Sequence, residues 1–398
     1  MKMSQRTIYY LDNNATTRVA PEVVEVMLPF LRDYWGNPSS VYTFGRQVAR
    51  DVESAREKVA ALVNAEPRGI LFTSCGTESN NSALHSALAA HPGKRHVLTT
   101  AVEHSANIKF CAALEKQGFE VTYLPVESDG GLDLHLLEKS IRPDTAIVSV
   151  MWANNETGVL FPIEEIAAIC RSKAVPFHTD AVQTPGKLKI DVRDLGLDFL
   201  SLSAHKLHAP KGIGLLYVKR KTKYHPYVIG GGQERGRRGG TENVANIVGF
   251  GRASELALAH LAEENKRIRG LRDKLESGIL HSIPGAVRNG AKEPRLPNTS
   301  NISFEGVEAE GLLLLLDELG ICVSSGSACT SGSLDPSHVL MAMGCSVSRA
   351  RGSVRFSLGI YNTEAEVDFV LKQLPAIIAR LRSNSPKAKL VPERSVPA

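Results

Sequence analysis

Between residues 70 and 218 the chain alternates short β-branched or apolar runs with longer stretches of helical periodicity, and this alternation restricts the fold more than any other feature. The runs are Gly69–Thr73, His96–Thr100, Glu120–Leu124, Ala146–Met151, Val175–Thr179, Asp198–Leu202 and Gly212–Val218. Helical patterns such as Glu78–Ala90 and Ile163–Lys173 lie between them. Strands separated by helices return to a sheet as parallel neighbours, so the spacing predicts a doubly wound α/β unit with a mainly parallel seven-stranded sheet. In such sheets ligands bind beyond the carboxyl ends of the strands. The residues directly after each run are therefore the functional candidates.

Upstream, Pro21–Tyr34 and Phe44–Asn64 read as helices, the first opening on a proline. A nearly unbroken helical pattern from Glu242 to about Ile283 is long enough to join two units. Beyond Pro284 the pattern gives strand Asn301–Phe304, helix Glu308–Leu319, strands Ile321–Ser324 and Ser353–Leu358, and helix Thr363–Arg382, a smaller α+β unit. We expect a large domain over 15–260, a small domain built from 1–14 and 261–382, and a disordered tail over 383–398. With 43% hydrophobic and 22% charged residues, global disorder is excluded. A net charge of +5 over 398 residues is too small to point to nucleic acid. No run reaches the ~18 apolar residues of a membrane span, and the start lacks a signal-peptide pattern, so a cytoplasmic protein is expected. The six cysteines show no metal-ligand spacing.

The first run leads into Thr73-Ser74-Cys75-Gly76-Thr77-Glu78-Ser79-Asn80, a small polar turn opening a helix. Backbone N–H groups at such a start suit a phosphate, with a plain helix cap as the alternative. No Walker or Gly-x-Gly-x-x-Gly sequence occurs, so nucleotide readings lose ground. His104 ends the second run, where an imidazole can stack on a planar cofactor, move a proton or simply start a helix. Asn154-Asn155-Glu156-Thr157-Gly158 follows the fourth run, and its amides can hold a ligand oxygen or make a turn. Asp180 stands at the end of the fifth, where a buried carboxylate needs a cationic or protonated partner. Lys206 follows the sixth, flanked by Ser203 and His205, and a desolvated lysine there is a Schiff-base candidate. Lysine, aspartate and phosphate turn at one sheet edge meet the three demands of pyridoxal phosphate: an imine, a partner for the pyridine nitrogen and an anion cradle.

The second half adds a nucleophile. Ser324-Ser325-Gly326-Ser327-Ala328-Cys329-Thr330-Ser331-Gly332-Ser333 is a small-residue loop presenting one thiol, unlike Cys322, which sits in an apolar pattern. Arg355, on the strand Ser353–Leu358, either forks onto a carboxylate or is an edge charge. The Gly- and Arg-rich stretch from Gly230 to Asn243 reads as a solvated hinge or as an arm that reaches across a dimer interface to an anion.

The stretches Tyr10–Thr17, Gly36–Ser40, Asn154–Gly158, Ser203–Lys206, Gln233–Gly236 and Ser324–Cys329 together resemble the pyridoxal-phosphate cysteine desulfurases of the NifS/IscS type, over Tyr10 to about residue 380. Met151–Ala153, Leu207–Pro210 and Thr330–Ser333 look more like the nitrogen-fixation branch than the housekeeping one. The resemblance implies a class V aminotransferase, a transferase of fold type I and a homodimer. It makes Lys206 the Schiff-base lysine, pairs Asp180 with the pyridine nitrogen, bonds Gln183 to the ring hydroxyl and stacks His104 on the ring. It assigns the phosphate to Gly76, Thr77, Ser203 and His205 of one subunit and Thr241 of the other. Asn155 and Arg355 then position the substrate, Arg355 through its carboxylate. One departure is Ala204, where the family more often has glycine, and its methyl is expected to shift the phosphate contact slightly.

The implied reaction converts L-cysteine to L-alanine and leaves a persulfide on Cys329, with His104 as a candidate base for that thiol. The implied acceptor is an iron–sulfur scaffold protein, with nitrogenase as the destination. Selenocysteine lyase or a related β-lyase is the runner-up. A simple aminotransferase would not need Cys329, and a catalytically silent regulator would be expected to lack Lys206 or Cys329.

Overall fold

The computed structural model describes residues 6–325 and 335–384. A short strand, β1 (Tyr9–Tyr10), precedes the main sheet. That sheet comprises β2 (Ile70–Thr73), β3 (His96–Thr100), β4 (Glu120–Leu124), β5 (Thr145–Ser149), β6 (Phe177–Asp180), β7 (Phe199–Ser203) and β8 (Gly214–Val218). Their order is β2-β8-β7-β6-β5-β3-β4, and only β8 runs antiparallel to its neighbours. Every residue of these strands is buried except on the edge strand β4, as expected for a sheet covered by helices on both faces. The expected strands agree to within a residue or two with those observed. The offsets are informative: β6 ends on Asp180 itself, and β5 stops before Val150, which stays in the core, and Met151, which lines the cavity beyond the strand ends.

The long helical pattern is one helix, Val244–Ser282, of 39 residues and about 58 Å. Its first turns bury Ile247, Phe250 and Ala253 in the core of the main sheet, together with Val23, Val52 and Phe72. Its last turns bury Ile268, Leu271, Leu275 and Ile279 with Leu11, Phe304, Phe356 and Leu374 in a second core. Gly251 lets the helix approach Thr43–Leu62 closely, since a methyl there would lie 3.0 Å from the Cα of Ala55.

The second core is covered by β9 (Ala286–Arg288), β10 (Thr299–Phe304), β11 (Ile321–Cys322), β12 (Ser324–Ser325) and β13 (Ser353–Ser357). The expected strand Ile321–Ser324 is split at Val323: β11 pairs parallel with β1, whereas β12 joins the antiparallel sheet β12-β13-β10-β9. The split turns the chain so that Ser324 stands opposite Arg355. Val339, Leu340 and Met343 pack back onto the larger core.

The stretch 230–243 is a pinned loop rather than a solvated hinge. Glu234 is buried and accepts two hydrogen bonds from Arg56, at 2.8 and 2.7 Å, and a third from the Phe72 N–H at 3.0 Å. Arg238 pairs with Glu78 at 2.9 Å, and Glu78 also accepts from the Ser74 N–H. These bonds hold Glu234 and Arg235 in left-handed backbone conformations, with φ of 48° and 61°.

Candidate active site

Beyond the ends of β2, β5, β6 and β7 lies a cavity of about 360 Å³. It gathers ten residues singled out from the sequence: Gly76, Thr77, His104, Asn155, Asp180, Gln183, Ser203, His205, Lys206 and Arg355. Thr241 does not line it; it is exposed beside Gly240, on the rim of another cleft. Cys329 lies outside the described residues, as does the expected disordered tail over 383–398 apart from Ser383 and Asn384, which are not disordered but end the helix Glu364–Asn384.

The phosphate side is the start of helix Gly76–Ala90, where Cys75 supplies no side-chain cap. The first backbone N–H groups of a helix have no intrahelical acceptor, so they and the helix dipole favour an anion. Position 76 must be small, because a methyl there would lie 2.8 Å from Val182 Cγ2. Ser203 closes β7, and His205 and Lys206 sit in the single 3₁₀ turn after it. Burial pulls His205 down to about 4, with Lys206 and Lys211 acting in the same direction, so at neutral pH it is an uncharged imidazole, its Nδ1 3.1 Å from Thr16 Oγ1. Ala204 is fully buried and belongs to the core, so its methyl does not enter the cavity lining.

Asp180 is held from two sides. Its Oδ2 accepts from Asn80 Nδ2 at 2.6 Å, and its Oδ1 from the Val182 N–H at 3.0 Å. One helix thus offers its N-terminus to a phosphate and, one turn later, orients the carboxylate meant for a ring nitrogen. Lys206 Nζ donates to the carbonyls of Asn14 and Ala15, the latter at 2.7 Å. Gln183 donates to the same Asn14 carbonyl at 3.0 Å. The N-terminal segment therefore forms part of the wall. It is fixed there by Asn14, whose side chain donates to the Asn155 carbonyl and to Thr299 Oγ1.

His104 caps helix Ser105–Glu115, its Nδ1 accepting from the Ala106 N–H at 3.1 Å. Burial lowers its proton affinity; Asp180 works against that, and Lys206 and His338 reinforce it. The neutral ring therefore carries its proton on Nε2. In that tautomer the ring is a donor, and taking a proton from a thiol would require giving up the Nδ1 contact.

Arg355 is buried, and its guanidinium is oriented by Asp12 at 2.7 Å and by the Asn155 carbonyl at 3.0 Å. Its Nε has no partner among the described residues, and neither do the buried Gln183 Oε1 and Asn80 Oδ1. These incomplete polar groups around one cavity fit a ligand that brings a ring hydroxyl and a carboxylate. Together with the anion cradle, the Asp180 carboxylate and Lys206, they fit pyridoxal phosphate and an amino acid.

Glu103, Asn80 and Asp12 were not selected from the sequence. Glu103, next to His104 in the chain, is fully buried and accepts from Thr100, the Met151 N–H and Asn107 at 2.8, 2.9 and 3.1 Å. Burial pushes it up to about 8, and the Asp180 charge acts in the same direction, so it stays protonated at neutral pH. Its signal was a glutamate directly after an apolar run, overshadowed by the histidine beside it.

Residues 9–370 match the family model for aminotransferase class-V. The chain is 54% identical over 380 residues to a cysteine desulfurase of Nostoc sp., covering 96% of this chain and 95% of that one. It is 53% identical over 378 residues to the cysteine desulfurase NifS of Azotobacter vinelandii, covering 95% and 94%. A solved NifS-like protein superposes with a TM-score of 0.89 at 42% identity, covering 94% of this chain and all of the other (100%). With the fold and the lysine-centred cavity in place, these similarities put the chain in the class-V aminotransferase family, among the cysteine desulfurases of the NifS type.

Proposed function

We propose that this chain is a pyridoxal-phosphate-dependent cysteine desulfurase, converting L-cysteine to L-alanine with transfer of sulfur to Cys329. The observation that carries the reading is the convergence of Lys206, Asp180, the Gly76–Thr77 helix start and Arg355 on one cavity. Bound pyridoxal phosphate supplies an electrophilic carbon for amines and a ring that accepts electrons from the substrate Cα.

The chain's own groups do the rest. Gly76, Thr77, Ser203 and His205 hold the phosphate, and Asp180, oriented by Asn80, keeps the ring nitrogen protonated. Gln183 bonds the ring hydroxyl, and His104 covers the ring face. Arg355, with Asn155, binds the substrate carboxylate and so fixes which bond at Cα faces Lys206. Lys206 Nζ removes the Cα proton and later returns one to the product. The Cys329 thiolate attacks the substrate sulfur: an S–S bond forms, the C–S bond breaks, and its electron pair stays with the carbon skeleton. Cysteine plus thiol thereby becomes alanine plus persulfide, and no external oxidant or reductant is needed.

The finer assignment is a homodimer in which Thr241 reaches the phosphate site of the partner subunit. Its support is the pinned 230–243 loop, which presents Thr241 outward and away from its own cavity. An iron–sulfur scaffold as sulfur acceptor, a nitrogenase destination and a cytoplasmic location belong to the same proposal. Among the described residues no helix is long and apolar enough to cross a membrane. A large domain over 15–260 and a small one over 1–14 and 261–382 are proposed on the two cores joined by the long helix.

The test is a single turnover with L-cysteine, scoring alanine and protein-bound persulfide in wild type and Cys329→Ala. Alanine and persulfide in wild type, both lost in the variant with cofactor absorbance retained, is the expected result. Equal alanine without Cys329 would remove that residue as nucleophile and favour a lyase.

A further inference from the structure

Behind Lys206, on the side away from the active site, lies a second cavity of about 310 Å³. Lys206 lines both cavities, and so forms part of the partition between them. Another lysine on the wall, Lys187, takes no part in the reaction. The residue is half-buried, yet its Nζ is shielded from solvent and has no hydrogen-bond partner among the described residues. An ammonium group in that position is costly unless an acceptor is supplied. Burial pulls it down to about 7, and Lys206 pushes it the same way.

Its neighbour Asn265 is similarly incomplete. The Asn265 Nδ2 donates to the Lys187 carbonyl at 2.7 Å, while its buried Oδ1 has no partner among the described residues. The other ionisable groups on this wall are Lys206, His208, His260, Glu22, Glu264 and the Tyr361 phenol, which burial raises. Burial pulls His208 down to about 4, so it is neutral, with Nδ1 3.0 Å from the Arg18 carbonyl. Glu264 is bound to Arg267 at 2.7 Å, and no ion pair joins either glutamate to Lys187 among the described residues. Much of the remaining lining is apolar, with Leu256, Leu261 and Ile268 of the long helix facing Leu358 and Ile360.

We propose that this cavity binds a small carboxylate with an apolar body, the carboxylate on Lys187 Nζ and the body against the leucines of the long helix. The volume suits a molecule of that kind, and pockets with apolar walls and one placed charge are the usual form of small-ligand sites. Asn13 and Thr17, which flank the two carbonyls that hold Lys206, also line it. An occupant therefore touches the segment that positions the active-site lysine, which gives the site a route to modulate turnover. The proposal does not depend on the sulfur-transfer reading.

The probe is 4-methylpentanoate, which has no amine and cannot form an imine with the cofactor, titrated calorimetrically into the holoenzyme. Saturable binding is expected, weakened about tenfold or more in Lys187→Met, in Leu256→Trp, which fills the cavity, and when 4-methylpentanol replaces the acid. At pH 8 binding should take up protons, read as a dependence of the heat on buffer ionisation that disappears in Lys187→Met. Arg355→Ala should leave the affinity within about twofold. No saturable binding up to about 20 mM overturns the proposal. So does binding lost in Arg355→Ala but kept in Lys187→Met, which places the probe in the substrate site. If Lys187→Met does not fold, Leu256→Trp and the alcohol comparison decide, because both keep the lysine.

Discussion

Replacing Glu234 with alanine strands a buried guanidinium. Arg56 and Glu234 each expose only 4% of their side chains and share two hydrogen bonds of 2.8 and 2.7 Å. Without the carboxylate, Arg56 keeps the Ile70 carbonyl at 3.1 Å, the half-exposed Glu53 at 3.0 Å and the face of Phe72 at 4.6 Å. The Phe72 N–H also loses its acceptor. Removing one partner of such a pair costs about 3–5 kcal/mol, because the other charge stays buried. Exchanging both for apolar residues of similar volume is close to neutral, so Arg56→Met with Glu234→Leu should recover most of the loss. Urea unfolding of the four proteins of the cycle, followed by far-UV circular dichroism, reads both numbers. The proposed reach of Thr241 to a partner's phosphate site adds a functional readout: Glu234 pins the loop that carries Thr241, so on that reading Glu234→Ala should also weaken cofactor binding. A loss of stability below about 1 kcal/mol in Glu234→Ala, or a double variant no better than the single ones, refutes the account.

Three further outcomes are expected. Glu103 is pushed up to about 8 from an ordinary 4.5, so between these values the folded chain holds a proton that the unfolded chain has released. The Glu103 contribution to stability therefore falls as pH rises through that window, against the opposite contribution of the buried neutral His178, His205 and His208, which burial pulls down to about 3, 4 and 4. Glu103→Gln should make the change in urea midpoint between pH 5 and 8 more positive than in wild type, the Glu156 contribution, raised by burial to about 7, being kept; an unchanged slope would mean that Glu103 is ionised in the fold. Arg355→Ala should reduce kcat/KM for L-cysteine by about 10- to 100-fold, chiefly through KM, with cofactor absorbance intact. Gly76→Ala places a methyl 2.8 Å from Val182 Cγ2 and should raise the cofactor Kd about tenfold in a titration of apoenzyme, whereas wild-type affinity would show that the turn relaxes freely.

What the sequence made legible is what local pattern encodes. Lys206 and Asp180 could be placed because each comes at or shortly after the carboxyl end of a buried strand run, where ligands of such sheets bind. The relations that give those residues their chemistry are long-range. Asn80 reaches Asp180 across 100 positions, Glu234 reaches Arg56 across 178, and Asp12 reaches Arg355 across 343. A single sequence does not announce such pairs, because each partner taken alone reads as an ordinary polar residue near a turn or helix. The loop at 230–243 shows the same limit: its glycines and arginines read either as a solvated hinge or as an arm crossing a dimer interface, and nothing local announced the buried carboxylate that ties it to Arg56 and Phe72. The split at Val323 was equally invisible, since Ile321–Ser324 carries one continuous strand pattern and only the competing partners β1 and β13 divide it. That division matters for the proposed chemistry: it lays Ser324 against Arg355, the residue proposed to bind the substrate carboxylate, five positions before Cys329 in the sequence. If Cys329 and Arg355 act as proposed, a substitution that weakens the pairing of β12 with β13 should impair sulfur transfer before it impairs cofactor binding.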